Sequence, residues 1–549
     1  MKAKKLSILL VMVLALSSIL MACGTDKETK DKPEVKKQNL AEKQELNLLD
    51  TSEIPSLDSS VATDQVSFLV MTNAMEGLYR LGDKDKVMPG LAKEEKVSAD
   101  GKTYTFKLRD AKWSNGDKIV AADFVYAWQR AVDPKTASEY AYMLYPVLNG
   151  EACSTGDKPV TDLGIKAVNE STLEVTLANA APYFKSLLSF PTFFPQQQKF
   201  VETQGDKYGT EFDKVLYNGP FKLTSWEHEV GWTYELNENY WDKESVKLSK
   251  ITVKVVKDNN TMASLYDTGA VDRTALVAEQ VPKYKDRPDF GRIKDTSVYF
   301  LRLNEKNPVL ANVDARKAIA MAFDKTQLCD VLLNNGSIPA NYLVPAEFLY
   351  DKKSKDFREA NGDMSVFNAE KAKEHWTKAK AALGKDAITL KLLNYDSESA
   401  KKIGEFLKEQ LQKNLPGLTI EVNSMPFAAK LDTESKMDYD LSYAGWGPDY
   451  ADPMTFLDMF VTDGGHNQMG YSNKTYDGII KAASTTLVSD LDKRWTELQK
   501  AEKILLEEDQ AIAPLYQRGG AFVQNPKVKD IFDHKFGGDF SYKWTHLEK

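Results

Sequence analysis

The sequence predicts a mixed α/β protein with more than one lobe. The chain has 549 residues, of which 42% are hydrophobic, so it can bury a large core and by length is expected to form more than one domain. Segments with strand-like alternation occur among segments with helical spacing of apolar residues. In the C-terminal half, two strands flank a helix as a βαβ unit, which indicates a parallel sheet covered by helices.

Several elements are predicted before the middle of the chain. Residues 102–113 (KTYTFKLRDAKW) alternate as a strand does, and SNGDK after them indicates a turn. Residues 121–132 place Phe124, Trp128 and Ala131 at helical spacing. Residues 171–184 predict a further strand, 218–237 a hairpin, and 250–256 another strand.

The C-terminal half has the clearest boundaries. Asn368 is a candidate N-cap, residues 369–383 are rich in helix formers, and Gly384 suits the position after the helix. The predicted βαβ unit consists of strand 388–393, helix 400–412 and strand 418–422. A later helix is predicted from one apolar face, formed by Trp495, Leu498, Ala501 and Leu505.

The N-terminus predicts export. Three lysines precede an apolar run from Leu6 to Ala22, which is short for a membrane-spanning helix and has the flanks of a signal peptide. The run ends in LMAC, which resembles a bacterial lipobox. We therefore predict a lipoprotein signal peptide at 1–22, lipidation of Cys23 by acyl chains such as palmitate, and a flexible polar tether at 23–43. A retained membrane anchor is the alternative.

Charge and cysteine content exclude some functions. Without residues 1–22 the chain keeps 69 basic and 80 acidic side chains, a balance that disfavours nucleic-acid binding. No second apolar run has membrane-spanning length. Cys153 and Cys329 could pair in an exported protein, although a chain with this much core does not need the bridge, and we expect two separate thiols.

Motifs of catalysis and metal binding are missing from the sequence. None of the five histidines belongs to a ligand-spaced pair, and no G-x-S-x-G motif occurs. GEACSTGDK at 150–158 lacks the spacing of a phosphate loop, and GDKDK lacks the pattern of a calcium loop. The sequence therefore predicts neither an enzyme nor a bound cofactor or metal.

Residues 100–130, DGKTYTFKLRDAKWSNGDKIVAADFVYAWQR, resemble the signature segment of the peptide/nickel-type family of extracytoplasmic solute-binding proteins. The likeness continues through DPKTASEYA, DLGIKAVNESTLEVTLANAAPYF, YNGPFKLTSWE, DARKAIAMAFDK and YAGWGPDYADPMTFLDMF. Within the family the chain is most similar to OppA-type oligopeptide-binding lipoproteins of ABC importers.

The resemblance implies a three-lobed fold like that of periplasmic binding proteins. Its first lobe would combine residues 44–76, 198–296 and 517–549, the second would be an insert at 77–197, and the third would be 297–516. The first and third lobes would close about a hinge on a peptide. The implied partners are the peptide, a membrane permease and the lipid anchor, and we expect a monomer.

The resemblance also assigns a peptide grip to YAGWGPDYADP at 443–453. Asp449 matches the acid that pairs with the peptide's α-ammonium group. Tyr443, Gly445, Trp446 and Gly447 match the strand that hydrogen-bonds the peptide backbone, as in β-augmentation. Asp452, next to Pro453, is expected to be a turn or helix-cap residue.

Further ligand contacts are implied elsewhere. Tyr140 matches an aromatic residue that faces the ligand from the second lobe. Thr63, Asp64 and Gln65 fall where the first lobe would offer another strand edge, and Asn394 and Tyr395 are candidates for a side-chain pocket.

The chain departs from the family at the other end of the peptide. Well-studied members hold the carboxylate of short peptides with basic side chains, and the three matching positions here are Ala320, Glu434 and Tyr443. We therefore expect longer or more apolar peptides whose C-terminus is solvated or held otherwise.

Other functions stay open at this point. A receptor dedicated to a signalling peptide such as a pheromone is one alternative, and a carrier of nickel, haem or an oligosaccharide is another. A surface hydrolase would need a nucleophile and a base, for which no candidate is found. The tether fits the outer face of a Gram-positive membrane.

Overall fold

The computed structural model describes residues 39–549, and residues 40–549 form one unit. The predicted signal peptide, Cys23 and the tether up to residue 38 lie outside the described residues. In the part of the chain that the structure describes, no helix is long and apolar enough to cross a membrane.

The strands fall into several separate sheets. In chain order they are β1 Glu45–Asp50, β2 Tyr79–Leu81, β3 Val87–Pro89, β4 Ala92–Val97, β5 Thr103–Leu108, β6 Ile165–Asn169, β7 Thr172–Thr176, β8 Phe221–Glu227, β9 Gly231–Leu236, β10 Lys250–Val255 and β11 Arg273–Leu276. They continue with β12 Phe290–Leu303, β13 Ile338–Pro339, β14 Ile388–Tyr395, β15 Leu418–Met425, β16 Leu441–Trp446, β17 Ile512–Gln524, β18 Val528–Lys529, β19 Phe532–Asp533, β20 Phe540–Ser541 and β21 His546–Leu547.

Helices connect these strands and cover the sheets. The first eight are α1 Gln65–Ala74, α2 Ala121–Ala131, α3 Gly150–Ser154, α4 Phe184–Leu187, α5 Gln198–Gln204, α6 Asn259–Asp267, α7 Val281–Tyr284 and α8 Val313–Met321. The others are α9 Lys325–Gln327, α10 Phe357–Asn361, α11 Ala369–Leu383, α12 Glu398–Asn414, α13 Phe427–Ser435, α14 Met454–Leu457, α15 Lys474–Ser484 and α16 Leu491–Lys503.

Three sheets of four or more strands organise the described chain. One has the order β1-β10-β9-β8, and a second, built wholly from the predicted second lobe, has the order β4-β5-β7-β6. The largest has seven strands, with β11-β17-β12-β16-β14-β15 in a row and β13 paired to β17. β14 and β15 are parallel, so the predicted βαβ unit is confirmed.

Two long antiparallel strands, β12 and β17, run through the seven-stranded sheet. They pair in register from Phe290 to Lys294, at Val298 and Tyr299, and again from Phe300 to Arg302, with one register irregularity after Lys294 and a second after Tyr299. The lobe boundary proposed at 296/297 falls at the first irregularity, and the boundary proposed at 516/517 lies between the two. A break in the ladder bends and twists strands locally, which makes it a suitable place for a hinge.

Local sequence signals set several of these boundaries. Asn368 accepts a hydrogen bond from the backbone N of Lys371, α11 ends at Leu383, and Gly384 adopts a left-handed conformation with φ of 65°. The predicted hairpin at 218–237 is β8 and β9, and the predicted helix at 121–132 is α2. The strands predicted at 102–113 and 171–184 are shorter in the structure, as β5 and β7.

The core of the described residues consists of four apolar clusters, of which the largest spans much of the chain and the second largest lies in residues 301–516. Cys153 and Cys329 are both buried and unpaired, as expected.

Candidate functional site

A cavity of about 720 Å³ is lined by residues from all three predicted lobes. Thr63, Gln65 and Asp539 contribute from the first, Glu139 and Tyr140 from the second, and the segment around β16 from the third. Because these stretches are far apart in sequence, only the assembled fold creates the cavity.

β16 presents a backbone edge to this cavity. Its residues from Leu441 to Trp446 all pair with β12 on one side, whereas pairing with β14 on the other side ends at Ser442. From Tyr443 to Trp446, residues 40–549 supply no second strand. An extended guest chain can therefore hydrogen-bond to this edge, since a strand edge carries free N–H and C=O groups.

Two glycines at this edge pack closely against neighbouring side chains. A Cβ atom on Gly445 would lie 2.7 Å from the ring of Tyr299 on β12. A Cβ atom on Gly447 would lie 2.8 Å from Nε2 of Gln65 and 3.0 Å from Oγ of Ser297. The close neighbours are thus side chains, and any larger residue would displace them.

An aromatic cluster lies beside the edge. The rings of Tyr140 and Trp446 are stacked with centroids 6.2 Å apart, and His466 packs edge-on against both, at 4.5 Å and 4.8 Å. The indole N–H of Trp446 donates to the carbonyl of Thr455 at 2.8 Å. Burial and the nearby Arg302 lower the pKa of His466 to about 3, so this imidazole is neutral at physiological pH.

Asp449 lies next to this aromatic cluster, and its carboxyl group has no cationic partner among the described residues. The side chain is 2% exposed and lines the cavity. Its Oδ1 accepts a 3.4 Å hydrogen bond from the hydroxyl of Tyr140, and its Oδ2 has no hydrogen-bond partner among the described residues. Burial raises the pKa of Asp449 well above its usual value and Asp458 raises it further. A cationic group in the cavity would relieve both effects.

The loop that carries Asp449 is fixed by its neighbours. The backbone N of Asp449 donates to Oγ1 of Thr455 at 2.8 Å. Asp452 accepts from the backbone N of Met454, as expected of a turn residue, and also forms two 2.7 Å hydrogen bonds with Arg494. The sequence did not predict this buried ion pair.

The structure separates the two pocket candidates on β14. Tyr395 lines the cavity, packing against Phe427 and Tyr443. Asn394 is fully buried away from it, and its amide donates to the carbonyl of Ala400 at 2.8 Å. The difference follows from strand geometry, because successive side chains point to opposite faces.

Residues 63–65 line the cavity but do not form the expected strand edge. Asp64 is the N-cap of α1, accepting from the backbone N of Ser67 at 2.8 Å and from its hydroxyl at 2.6 Å. Gln65 is the first helical residue. The expectation of a second strand edge is therefore wrong, and the first lobe instead offers the start of a helix, whose first N–H groups lack intrahelical partners.

The three positions expected to lack a cation have different environments. Ala320 is buried in the core of α8 and does not line the cavity. Glu434 lines the cavity and lies 2.7 Å from Nζ of Lys430 and 3.3 Å from Nε of Arg302. Tyr443 hydrogen-bonds through its hydroxyl to that of Tyr516. Arg302 also lines the cavity, but its guanidinium group is already paired with the carboxylate of Glu434.

Comparison with known proteins identifies the family. Residues 86–468 match the bacterial extracellular solute-binding proteins, family 5 (middle). The chain belongs to this family. It is 36% identical to the dipeptide-binding protein of Lactococcus lactis subsp. cremoris (strain MG1363), over 98% of both chains.

Two solved structures of similar proteins place the fold within the OppA type. Listeria monocytogenes OppA bound to peptide is 45% identical with a TM-score of 0.90, covering 93% of this chain and 100% of that one. The pheromone receptor PrgZ is 39% identical with a TM-score of 0.88, covering 92% of this chain and 100% of that one. The resemblance and the fold class predicted above are confirmed.

One protein of this kind has been solved in two conformations, and this chain is much more similar to one of them. The Escherichia coli murein tripeptide binding protein MppA has a TM-score of 0.85 to this chain at 28% identity. Its unliganded open form has a TM-score of only 0.60 at the same identity. The present chain therefore does not have the arrangement of that open form.

Contacts across the cavity agree with a closed arrangement. Between the second and third predicted lobes, the amide of Gln468 donates to Glu139 at 2.7 Å, and Tyr183 stacks on Tyr450. Between the first and third, Lys402 pairs with Glu279 at 2.7 Å, and Lys257 with Asp396 at 2.9 Å.

Several cavity residues were missed by sequence reasoning. They are Tyr299, Arg302, His466, Tyr516 and Arg518. Four of them lie on β12 and β17, whose cavity-facing pattern is interrupted by the register irregularity, and His466 lies in a loop without a local signal. In the described residues, no group of three His, Cys, Asp or Glu side chains is arranged to hold a metal ion.

Proposed function

We propose that this protein captures oligopeptides in the closed cavity and delivers them to the membrane permease of an ABC importer. The observation that carries the proposal is the buried carboxyl group of Asp449, which faces the cavity without a cationic partner. Its partner would be the α-ammonium group of the peptide, through a charge-assisted hydrogen bond in a site shielded from water. The free edge of β16 would hold the peptide backbone beside it.

This arrangement suits a ligand of variable sequence. The ammonium group and the backbone are common to all peptides, so gripping them does not select particular side chains. Tyr140 and Trp446 would cover the first residue of the peptide, and Tyr395 would contact a later one. Contacts between the lobes would exclude bulk water when the cavity is closed.

The peptide C-terminus would be held differently. Glu434 and Tyr443 line the cavity where a carboxylate-binding cation would be expected, and Arg302 already lies 3.3 Å from Glu434. We infer that no salt bridge fixes the C-terminus, so peptides longer than three or four residues or more apolar ones are accepted.

The same proposal includes a lipid-anchored receptor. Cys23 would carry the lipid after removal of residues 1–22, and the polar tether would let the binding unit reach its permease. Three predicted lobes with a hinge in β12 and β17 would open to admit the peptide.

Isothermal titration calorimetry with a five-residue peptide tests the anchor. Asp449→Asn should weaken binding at least about thirtyfold, because removing one partner of a buried charge pair costs roughly 2–5 kcal/mol. Acetylating the peptide's amino terminus should weaken binding to the wild type similarly.

Two matched controls complete this experiment. Asp490→Asn changes a helix-capping aspartate outside the cavity and should leave affinity unchanged. Amidating the peptide's C-terminus should cause no loss. Unchanged affinity on both amino-terminal changes would refute the anchor, and a loss on amidation alone would show that the protein holds the peptide's carboxylate instead of its ammonium group.

A receptor dedicated to one signalling peptide is the second candidate, favoured by the similarity to PrgZ. Mass spectrometry of material retained from a mixed peptide pool separates the two functions. Many intact peptides support a general carrier and one peptide supports a dedicated receptor. Cleaved peptides indicate an enzyme, and a non-peptide ligand indicates another solute carrier.

A further inference from the structure

The lining of the cavity is strongly acidic. Ten Asp and Glu side chains line it, against three Lys and Arg side chains. The only histidine in the lining, His466, is neutral because its pKa is lowered by burial. Each of the three cations already lies within ion-pair distance of a carboxylate, and the pairs are Arg302 with Glu434, Arg518 with Asp295, and Lys402 with Glu279.

Carboxyl groups therefore remain in excess after this pairing. Oδ2 of Asp449 has no partner in residues 40–549. Asp50 and Asp64, both from the first predicted lobe, form no ion pair within the described residues, and burial raises the pKa of each to about 6. Asp50 and Asp64 both line the cavity.

A wall of tyrosines lines the same cavity as these carboxyls. Tyr299, Tyr395, Tyr443 and Tyr516 come from four neighbouring strands of the seven-stranded sheet, and consecutive rings are 4.9–5.6 Å apart between centroids. All four tyrosines line the cavity that Asp50 and Asp64 also line. The faces of aromatic rings attract cations and other aromatic groups.

We propose that the cavity selects peptides that carry a basic side chain in addition to their amino terminus and rejects acidic peptides. The proposal rests on the peptide-binding function given above and deepens it. A lysine or arginine side chain would lie between the carboxyls of Asp50 and Asp64 and the tyrosine wall. It would gain ionic and cation–π attraction together, in a cavity with little competing water.

An acidic side chain would meet the opposite conditions. No cation in the lining lacks a carboxylate partner, so a guest carboxylate would be buried beside like charges. Like-charge juxtaposition is a recognised means of rejecting wrong ligands. The same reasoning agrees with a C-terminal carboxylate that stays outside the acidic region.

Calorimetry with matched peptides tests this selection. The probes are Ala-Ala-Ala-Ala-Ala with one internal residue replaced by Lys, Gln or Glu at each of the second, third and fourth positions. At one position or more, Lys should bind at least about tenfold more tightly than Gln, and Glu at least about tenfold more weakly. The preference should shrink in high salt, because ionic interactions are screened.

A single variant locates the effect. Asp64→Asn keeps the cap of α1, since an Asn side-chain oxygen also accepts from Ser67, but removes the charge. It should reduce the Lys-to-Gln affinity ratio by about threefold or more, as expected for loss of one nearby charge. Asp490→Asn, the same change at a helix N-cap outside the cavity, should leave the ratio unchanged.

The outcomes are distinguishable. Equal binding of Lys and Gln peptides at all three positions, or tight binding of the Glu peptides, would overturn the selection while leaving peptide binding intact. An unchanged ratio in Asp64→Asn would overturn the placement of the basic side chain. Failure of every peptide to bind would overturn the proposed function itself.

Discussion

Asp449 and Asp452 are two buried acids three residues apart with opposite electrostatic environments. Arg494 holds both oxygens of Asp452 at 2.7 Å. In the described chain Asp449 has no cation, only the hydroxyl of Tyr140. The carboxylate of Asp452 is therefore paired within the protein, and we propose that the carboxyl group of Asp449 pairs with the ligand.

Breaking the Asp452 pair should destabilise the protein. Asp452→Asn leaves the guanidinium of Arg494 buried without its counter-charge, and losing one partner of a buried ion pair costs about 3–5 kcal/mol. Urea unfolding should show a lower midpoint with an unchanged slope. Peptide affinity should also fall, because Asp452 supports the loop that carries Asp449.

An exposed pair provides the control for this prediction. Asp492 lies 3.4 Å from Lys352 with both side chains more than 60% exposed. Asp492→Asn should not shift the unfolding midpoint measurably, because exposed ion pairs contribute little. Equal effects of the two substitutions would show that the Asp452 pair is not a stabilising contact.

Positions lining the cavity were predictable where a whole motif constrained them. Residues 443–447 and Asp449 all line the cavity, with Gly445 and Gly447 packed closely against neighbouring side chains. Asn394 and Tyr395 show the limit of such reasoning. Consecutive strand residues face opposite ways, so only one of them could line the cavity, and the sequence did not say which.

At the scale of elements, the boundaries with local chemical signals were predicted well. α11 begins after Asn368 and ends before Gly384, where a cap and a left-handed glycine fix its ends. The start of α1 was missed although Asp64 and Ser67 have the spacing of an N-cap. The pairing order of the seven-stranded sheet was not predictable, because it joins strands more than 200 residues apart.

Ion pairs between elements close one side of the cavity. Lys402 on α12 lies 2.7 Å from Glu279 of the first predicted lobe, and both side chains are partly exposed. Lys402 also contacts Glu398 at 3.0 Å on its own helix. The contact between Lys402 and Glu279 forms only when the two lobes approach each other, so it favours closure.

The contribution of this pair should be small. In a double-mutant cycle with Lys402→Met and Glu279→Gln, the coupling energy in peptide binding should be about 0.2–1 kcal/mol, the range for exposed pairs. Each single variant should then weaken binding by less than about fivefold. Calorimetry at low and high salt measures the effect, which should vanish in high salt. A coupling above 2 kcal/mol would mean that the pair is a principal determinant of closure.

At the scale of the whole molecule, we expect Asp449 to link closure to ligand binding. In the closed arrangement its carboxyl is buried and its pKa lies well above the usual value. In an open arrangement the same group would face water and keep a pKa near its usual value. The closed form therefore binds the proton more tightly, so acid favours closing and neutral pH opposes closing without a ligand.

Removing the charge should let the empty protein close at neutral pH. Burying an unpaired carboxylate costs several kcal/mol, which a peptide ammonium group offsets and an empty cavity does not. Asp449→Asn removes that cost, and a gain of about 3 kcal/mol changes the ratio of closed to open molecules by roughly 150-fold. Small-angle X-ray scattering at pH 7 should give the unliganded variant a smaller radius of gyration than the unliganded wild type, near that of the wild type saturated with peptide. Asp490→Asn should scatter as the wild type does. Identical radii for the empty variant and the empty wild type at pH 7 would show that the Asp449 charge does not hold the lobes apart, and that closure is governed by contacts elsewhere between them.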